Sequence, residues 1–352
     1  MDETRFGSIS EAGFRPPVWA SNAHLQTLYP KFVLNAPKIV MRYERINTDD
    51  GDFLDLAMHI IDDAQIQHAD ESRALKPIAL LFHGLEGSKD SHYIQHLMYE
   101  LAANKISCIV MHFRGCSGQV NRRPRAYHSG ETGDALLTLK WIKRIYPQST
   151  VVCAGFSLGG NMLLKLLADN PEADIHAAVS VCAPIQLAAS SQAINRGFAK
   201  RYQAHLLKSM KANLLQKMHM MDMREHVNLN AQQITALDSF YDFDEHVTAP
   251  LHGFKDADDY YAKCSALPLL RNIQTPTLMI HAADDPFMDR RVIPKENDLS
   301  PQIAYELSET GGHVGFMQSK KDAHYQSPFL PSLYLPARIH SFFQTQLFKD
   351  KA

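Results

Sequence analysis

This chain of 352 residues has no large excess of charge of either sign, no long apolar run and no paired cysteines. Its 36 Lys and Arg nearly balance 38 Asp and Glu, so the formal net charge is only −2. Proteins that bind nucleic acid usually carry a basic excess, and the composition therefore predicts no nucleic-acid partner. With 45% hydrophobic residues, the chain also lacks the low hydrophobicity that is typical of disordered proteins.

Five cysteines are too few and too irregularly spaced to suggest a disulfide framework or a zinc site. Their number is odd, and no two of them form a CxxC pair. Buried free thiols in a reducing compartment are the simpler interpretation. The sequence implies neither a metal nor an organic cofactor.

Signals for export and for membrane insertion are absent as well. The first ten residues, MDETRFGSIS, contain neither the basic nor the apolar segment of a signal peptide. No apolar stretch approaches the roughly 18 residues that a membrane span requires. We therefore expect a cytoplasmic protein without a transmembrane segment. Peripheral contact with lipid stays open, and the sequence indicates no oligomeric state.

Short apolar runs alternate with helical segments in the first half of the chain and again near its end. This alternation predicts an α/β fold, with a mostly parallel central sheet that helices flank. The predicted buried strands are Ile78–Phe82, Ile106–Met111, Val151–Ala154, Ala177–Val181, Thr277–His281 and Ile303–Leu307. The predicted helices cover 93–104, 131–145, 161–168 and part of 336–347, and residues 39–46 and 53–60 predict a β-hairpin.

The alternation of strands and helices breaks in the middle of the chain. The residues there are mostly helical in character, and the same strand pattern then returns. That return indicates an insertion rather than two consecutive domains. We predict an α/β core made of residues 1–184 and 271–352, with an irregular N-terminal extension over 1–37 and a helical cap inserted over 185–270.

A GxSxG motif places Ser157 between the predicted strand Val151–Ala154 and the predicted helix 161–168. A strand, a sharp turn and a helix are the setting of a nucleophilic serine in a strained elbow. Glycines suit this turn because they have no Cβ, which lets neighbouring backbone approach. The first N–H groups of the helix would then favour negative charge at the site. The motif predicts Ser157 as a nucleophile, and the alternative is a tightly packed turn without a catalytic role.

A second motif, His83-Gly84-Leu85, directly follows the first buried strand and predicts a loop beside the serine. We assign the oxyanion hole to the backbone N–H groups of Leu85 and Leu158. Gly84 would keep this loop close to the serine. His83 is interpreted as organising the loop rather than as a catalytic group.

A general base and a carboxylate should follow the serine in the chain, the acid before the histidine. Asp285 is favoured as the acid, because Ala282 supplies the small residue expected three positions before it, while Asp284 remains a competitor. Among the 18 histidines, His313 is preferred as the base, because it lies after Asp285, in a glycine-rich segment before the final helix.

Seven segments, spread in order over nearly the whole chain, resemble the α/β-hydrolase superfamily, and most closely the bacterial YheT-type branch of its AB hydrolase 4 family. They are HLQT from His24, HGLEGSKDSHY from His83, MHFRGCSG from Met111, YHSGETGDA from Tyr127, GFSLGGNML from Gly155, HAADDPFMD from His281 and GGHVGF from Gly311. The resemblance implies a Ser–Asp–His charge relay on Ser157, Asp285 and His313. Family members are described as esterases, and eukaryotic relatives include acyl ester hydrolases, phospholipase-like enzymes and acyltransferases.

These observations predict a serine carboxylesterase that cleaves short- to medium-chain acyl esters through an acyl-enzyme. An acyltransferase would use the same triad with an alcohol in place of water. A non-catalytic binding protein on a hydrolase scaffold is the third alternative, although such a scaffold has no need of all three triad groups. The expected partner is a small acyl ester, and the sequence does not identify the residues that bind it.

Methionine is concentrated in one part of the predicted cap. Five of the 14 methionines lie between Met210 and Met223. Such a stripe could line an adaptable channel for an acyl chain. Packing within the cap is the preferred interpretation.

Overall fold

A nine-stranded sheet, parallel except at one edge, runs through the centre of the protein. The structure is a computed structural model that describes residues 4–61, 77–318 and 332–349. The strands are β1 (Ser8–Glu11), β2 (Arg42–Asn47), β3 (Phe53–His59), β4 (Ile78–Phe82), β5 (Ser107–Met111), β6 (Val151–Phe156), β7 (Ala177–Val181), β8 (Thr277–Ala282) and β9 (Ile303–Ser308). Their spatial order is β1-β9-β8-β7-β6-β4-β5-β3-β2, and the predicted α/β fold is confirmed.

The six strands predicted from continuous apolar runs all form, each within two residues of its predicted bounds. Every residue of β4, β5, β6 and β7 is buried, which explains why polar residues do not alternate with apolar ones there. The predicted hairpin forms too, and it pairs Asn47 with Phe53 next to the turn. Because the strands from β9 to β5 are parallel, their carboxyl ends meet at one edge, where open α/β sheets bind ligands.

The helices outside the predicted cap pack around this sheet. They are α1 (Ala23–Phe32), α2 (His92–Ala103), α3 (Gly133–Ile145), α4 (Leu158–Asp169) and α11 (Tyr334–Phe348), and a short antiparallel pair, β10 (Met317–Gln318) and β11 (Ser332–Leu333), precedes α11. Helix α4 begins three residues earlier than the sequence predicts, directly after Ser157. Gly159 and Gly160, which have low helix propensity, hide this start in the sequence.

The insertion between β7 and β8 is helical, and its α-helices fall within residues 185–270, which we propose as the cap. Its helices are α5 (Leu187–Ile194), α6 (Lys200–Met220), α7 (Ala231–Ala236), α8 (Phe240–Phe243), α9 (Ala249–His252) and α10 (Ala257–Cys264), with a π-helical turn over Asp244–Thr248. Side chains from α6, α7 and α8 enclose a small apolar core around Leu207, Leu214 and Ile234. Of the helices in the described ranges, none has the length and apolarity to cross a membrane.

The N-terminal segment 1–37 is not irregular as predicted. In its described part, β1 pairs in parallel with β9 at the edge of the sheet, and α1 follows. The sequence hides both elements. Strand β1 has only four residues and no apolar run, and Pro30 lies inside α1, where proline normally argues against a helix.

Gln26 on α1 connects this segment by hydrogen bonds to the chain after β9. Its side chain is fully buried. The amide oxygen accepts a hydrogen bond from the Met317 N–H at 2.6 Å, and the amide nitrogen donates to the carbonyls of Met317 at 3.0 Å and Ala20 at 2.7 Å. One side chain therefore satisfies three backbone groups in the interior.

Replacing Gln26 by alanine should lower the free energy of unfolding by roughly 2–4 kcal/mol, because buried backbone groups of Met317 would lose their partners. Urea denaturation followed by circular dichroism measures the loss. Gln232→Ala on the exposed face of α7 is the matched control and should change stability by less than about 0.5 kcal/mol. Equal stabilities for the two variants would contradict the structural role given to Gln26.

Candidate active site

Ser157 occupies a strained turn between β6 and α4. Its backbone angles are φ 53° and ψ −120°, which a residue with a side chain rarely adopts. The turn is held by hydrogen bonds on both sides. The Ser157 N–H donates to the Val181 carbonyl at 2.8 Å, and the Ser157 carbonyl accepts from the N–H groups of Gly160 at 2.9 Å and Asn161 at 3.1 Å. These bonds hold Ser157 directly at the carboxyl end of β6.

Glycines on both sides of the turn allow backbone segments to approach closely. A Cβ on Gly155 would lie 2.4 Å from the carbonyl oxygen of Gly159. A Cβ on Gly159 would lie 2.5 Å from the carbonyl oxygen of His83. Both neighbours are backbone atoms that cannot move aside, so the GxSxG pattern is a steric requirement of this turn.

His313 and Asp285 lie in line with the Ser157 hydroxyl. His313 Nε2 is 3.0 Å from Ser157 Oγ, and His313 Nδ1 is 2.7 Å from Asp285 Oδ2. The carboxylate accepts a hydrogen bond from the Nδ1–H group, which leaves Nε2 free to accept the serine proton. Asp285 is 3% exposed, and its other oxygen accepts from the Phe287 N–H at 2.8 Å. The structure thus brings together the three residues that the sequence selects.

Asp284, the competing aspartate, has a different contact. Its carboxylate accepts a hydrogen bond from the Gly312 N–H at 2.9 Å. Burial raises the pKa of this carboxyl to about 6. The adjacent aspartates therefore have different partners. Asp285 is hydrogen-bonded to the imidazole of His313, and Asp284 is hydrogen-bonded to the backbone of the loop that carries His313.

The two predicted oxyanion donors lie beside the serine. Leu85 and Leu158 line the same cavity as Ser157, and Leu158 is the first residue of α4. Within the described ranges, the backbone N–H groups of Leu85 and Leu158 have no acceptor. A Cβ on Gly84 would lie 3.2 Å from the Cβ of Ser157, so the absence of a side chain there lets the loop approach the serine as expected.

His83 and Glu86 fix the loop that carries Leu85. His83 is fully buried, donates from Nδ1 to the Gly84 carbonyl at 2.8 Å and accepts at Nε2 from the Phe113 N–H at 3.2 Å. Burial lowers the pKa of His83 to about 3, so the ring is neutral, in agreement with its predicted organising role. Glu86 has a φ of 55°, and its N–H donates to the Tyr127 hydroxyl at 2.8 Å.

The histidine loop depends on contacts that the sequence does not reveal. The His313 N–H donates to Thr27 Oγ1 on α1 at 2.9 Å, across 286 residues of chain. The His313 ring stacks on Phe287, with centroids 3.9 Å apart and planes 7° apart. The segment HLQT, recognised only as part of the family resemblance, contains Gln26 and Thr27 and was the one available signal for these contacts.

One group of potential metal ligands lies behind the site. Among the described residues, Cys182, His281 and Asp285 are the only three whose ligand atoms lie within 4.8 Å of one another. Burial holds the pKa of the Cys182 thiol well above its usual range, whereas a metal needs the thiolate. The Asp285 carboxylate is already hydrogen-bonded to His313. This donor set does not suit a metal ion.

Two cavities meet at the serine. The inner cavity, of about 120 Å³, lies under the proposed cap and is lined by Leu158, Pro184 and residues of α5, α6 and α10. The outer cavity, of about 560 Å³, lies between α1, the loop of Leu85 and α6. Both cavities are lined by Ser157 and His313.

Four of the five methionines lie in or against the apolar core of the proposed cap, which agrees with the preferred interpretation. Met223 is buried in that core, and Met210, Met218 and Met221 pack against it. Met220 is 63% exposed. Met210 alone among these five lines the inner cavity.

Comparison with known proteins identifies similar chains along most of the length. The family described as "alpha/beta hydrolase fold" matches residues 77–320. The chain is 42% identical to the "Putative esterase YheT" of Escherichia coli over 98% of this chain and 96% of that protein. It is 28% identical to "Phospholipase ABHD3" of Mus musculus over 87% and 73% of the two chains. The Pyrococcus furiosus esterase Pf2001 shares the fold, with a TM-score of 0.55, 15% identity and coverage of 90% and 98%.

Gly159→Ala should destabilise the protein by about 3 kcal/mol, because the new Cβ would overlap backbone carbonyls of the neighbouring loop. Urea denaturation of the purified variant tests this. Gly13→Ala is the control, since a Cβ there meets only the Tyr334 hydroxyl at 4.0 Å. If both variants were as stable as the parent, the steric account of the turn would be wrong.

Proposed function

Because the chain belongs to the α/β-hydrolase family, we propose that it is a carboxylic ester hydrolase that acts on short- to medium-chain acyl esters. The membership also confirms the resemblance found in the sequence. The observation that carries the proposal is the hydrogen-bonded series from Ser157 through His313 to Asp285. The names of two relatives, an esterase and a phospholipase, support an ester substrate.

In the proposed acylation step, Ser157 Oγ attacks the ester carbonyl carbon while His313 Nε2 takes the hydroxyl proton. The carbonyl π electrons move to oxygen and form a tetrahedral oxyanion. When these electrons form the carbonyl π bond again, the bond to the leaving alcohol breaks, and His313 donates its proton to that alcohol. The acyl group remains on Ser157. The Asp285 carboxylate stabilises the imidazolium that exists between these two proton transfers.

In the proposed deacylation step, water takes the place of the alcohol. His313 removes a proton from the water as it attacks the acyl-enzyme, and then returns that proton to Ser157 Oγ as the carboxylic acid leaves. Both steps develop negative charge on the same carbonyl oxygen. The N–H groups of Leu85 and Leu158 are the proposed donors to it, and the start of α4 adds its partial positive charge.

The two cavities support a division between acyl group and alcohol. The outer cavity adjoins Val314 and Thr27, next to the loop that carries His313, and the leaving alcohol must receive its proton from His313. We therefore assign the alcohol to the outer cavity and the acyl chain to the inner one. An apolar cavity of roughly 150 Å³ holds a benzene ring. The inner cavity, of about 120 Å³, is therefore suited to an acyl chain of a few carbons.

The adjacent aspartates offer a matched test of the proposed triad. Asp285→Asn should reduce kcat on p-nitrophenyl butyrate by about 10⁴-fold, because the imidazole loses the carboxylate that fixes its tautomer. Asp284→Asn, which keeps an acceptor for Gly312, should reduce kcat by far less, on the order of tenfold or below. Steady-state kinetics on both folded variants measures the difference.

Similar losses in the two variants would contradict the assignment of Asp285 as the triad acid. A parent protein that is folded but cleaves no ester would favour the non-catalytic binding protein. Transfer of the butyryl group to added methanol in preference to water would favour the acyltransferase.

A further inference from the structure

The wall of the inner cavity contains a polar cluster that the proposed triad does not use. Asp244, Thr248, Ser191 and Tyr261 all line the cavity that Ser157 also lines. We propose that this cluster binds a hydrogen-bond donor, a hydroxyl or an ammonium group, carried on the acyl chain of the substrate. The inference rests on the proposed ester hydrolysis and specifies its substrate class.

Two hydrogen bonds within the cluster end on Asp244, and a third joins Ser191 to Tyr261. Thr248 Oγ1 donates to Asp244 Oδ1 at 2.6 Å, and the Tyr261 hydroxyl donates to Asp244 Oδ2 at 2.8 Å. Ser191 Oγ lies 3.1 Å from the Tyr261 oxygen. Since Tyr261 has one hydroxyl proton and gives it to Asp244, Ser191 must be the donor in that second contact. The cluster therefore offers acceptors to the cavity rather than donors.

The Asp244 carboxylate has unused capacity to accept hydrogen bonds. An ionised carboxylate can accept about four, and two reach Asp244 from the residues that the structure describes. In the same ranges no lysine, arginine or histidine forms an ion pair with it. Burial raises the pKa of Asp244 to about 6, so the group is still mostly ionised at neutral pH. Asp244 is partly buried, and a partly buried anion without a cation is still costly. A ligand that supplies a donor would reduce this cost.

The backbone around Asp244 departs from regular helix at this point. Residues Asp244–Thr248 form a π-helical turn between α8 and α9. Such turns are rare and occur frequently at functional sites, because the extra residue redirects side chains. Here the turn carries both Asp244 and its donor Thr248 to the cavity wall.

The remaining lining of the inner cavity is mainly apolar, with Leu187, Ile194, Phe240 and Met288 among its residues. An alkyl chain would pack against these side chains but would give the Asp244 carboxylate no donor beyond Thr248 and Tyr261. A chain with a hydroxyl or ammonium group would satisfy both parts of the cavity. Sites built to hydrogen-bond a polar substrate group discriminate strongly against the analogue that lacks it.

The test compares methyl esters of plain straight-chain acids with esters of the same length that end in a hydroxyl or an ammonium group. Chains of four to eight carbons sample the depth of the cavity, and acid release is followed by titration at constant pH. We expect kcat/KM for a donor-bearing ester to exceed that of its plain partner at one or more lengths, by about tenfold. The relative rates of the hydroxyl and ammonium series identify the donor.

Asp244→Asn should reduce this ratio by about tenfold, since the charged acceptor is lost while the side-chain shape is kept. Asp258→Asn, at an exposed position on α10, is the matched control and should leave the ratio unchanged. Thermal unfolding of both variants checks that they fold. If Asp244→Asn does not fold, the ratio measured for the parent protein still decides the question.

Cleavage of plain esters without any preference for donor-bearing ones would overturn the inference and leave the proposed function intact. A preference that survives Asp244→Asn in a folded protein would overturn it as well. Absence of cleavage for every ester would overturn the proposed function, and this inference with it.

Discussion

The backbone turn at Ser157 is the constraint on which the rest of the site depends. A residue at φ 53° and ψ −120° costs on the order of 1–3 kcal/mol, and it persists only where its surroundings fix it. Here glycines on both sides of Ser157 let β6, α4 and the loop of His83 approach within contact distance and hold this conformation. The turn also sets the start of α4, and with it the position of the Leu158 N–H. One local conformation thereby places both the proposed nucleophile and a proposed oxyanion donor.

The proposed acid and base reach the serine because parallel strands end at a common edge. Asp285 follows β8, and His313 follows β9. The loop of His313 is then fastened by three separate contacts: Asp284 to Gly312, Thr27 to His313, and Gln26 to Met317. Two of these come from α1, so the N-terminal segment supports the site from far away in the chain. This explains why sequence motifs at the two ends of the protein belong to one functional unit.

The sequence predicts the structure correctly where the physical signal is local. Buried strands such as Ile78–Phe82 are continuous apolar runs, and Ser157 lies in a motif whose glycines have a steric cause. It fails where the contact is distant or the element is short. The segment HLQT marks Thr27 only through the family resemblance, and no local pattern indicates that it accepts a hydrogen bond from His313. Strand β1 is an edge strand of four residues. The π-helical turn at Asp244 has no periodicity that a sequence pattern could show.

Labelling with a fluorophosphonate, followed by mass mapping of the modified peptide, tests the proposed nucleophile most directly. The reagent phosphonylates a serine only when a base activates it and an oxyanion hole stabilises the product. The account predicts a single adduct on Ser157 in the parent protein and none in folded Ser157→Ala. No adduct on the folded parent protein, or an adduct on another residue such as Cys116, would contradict it.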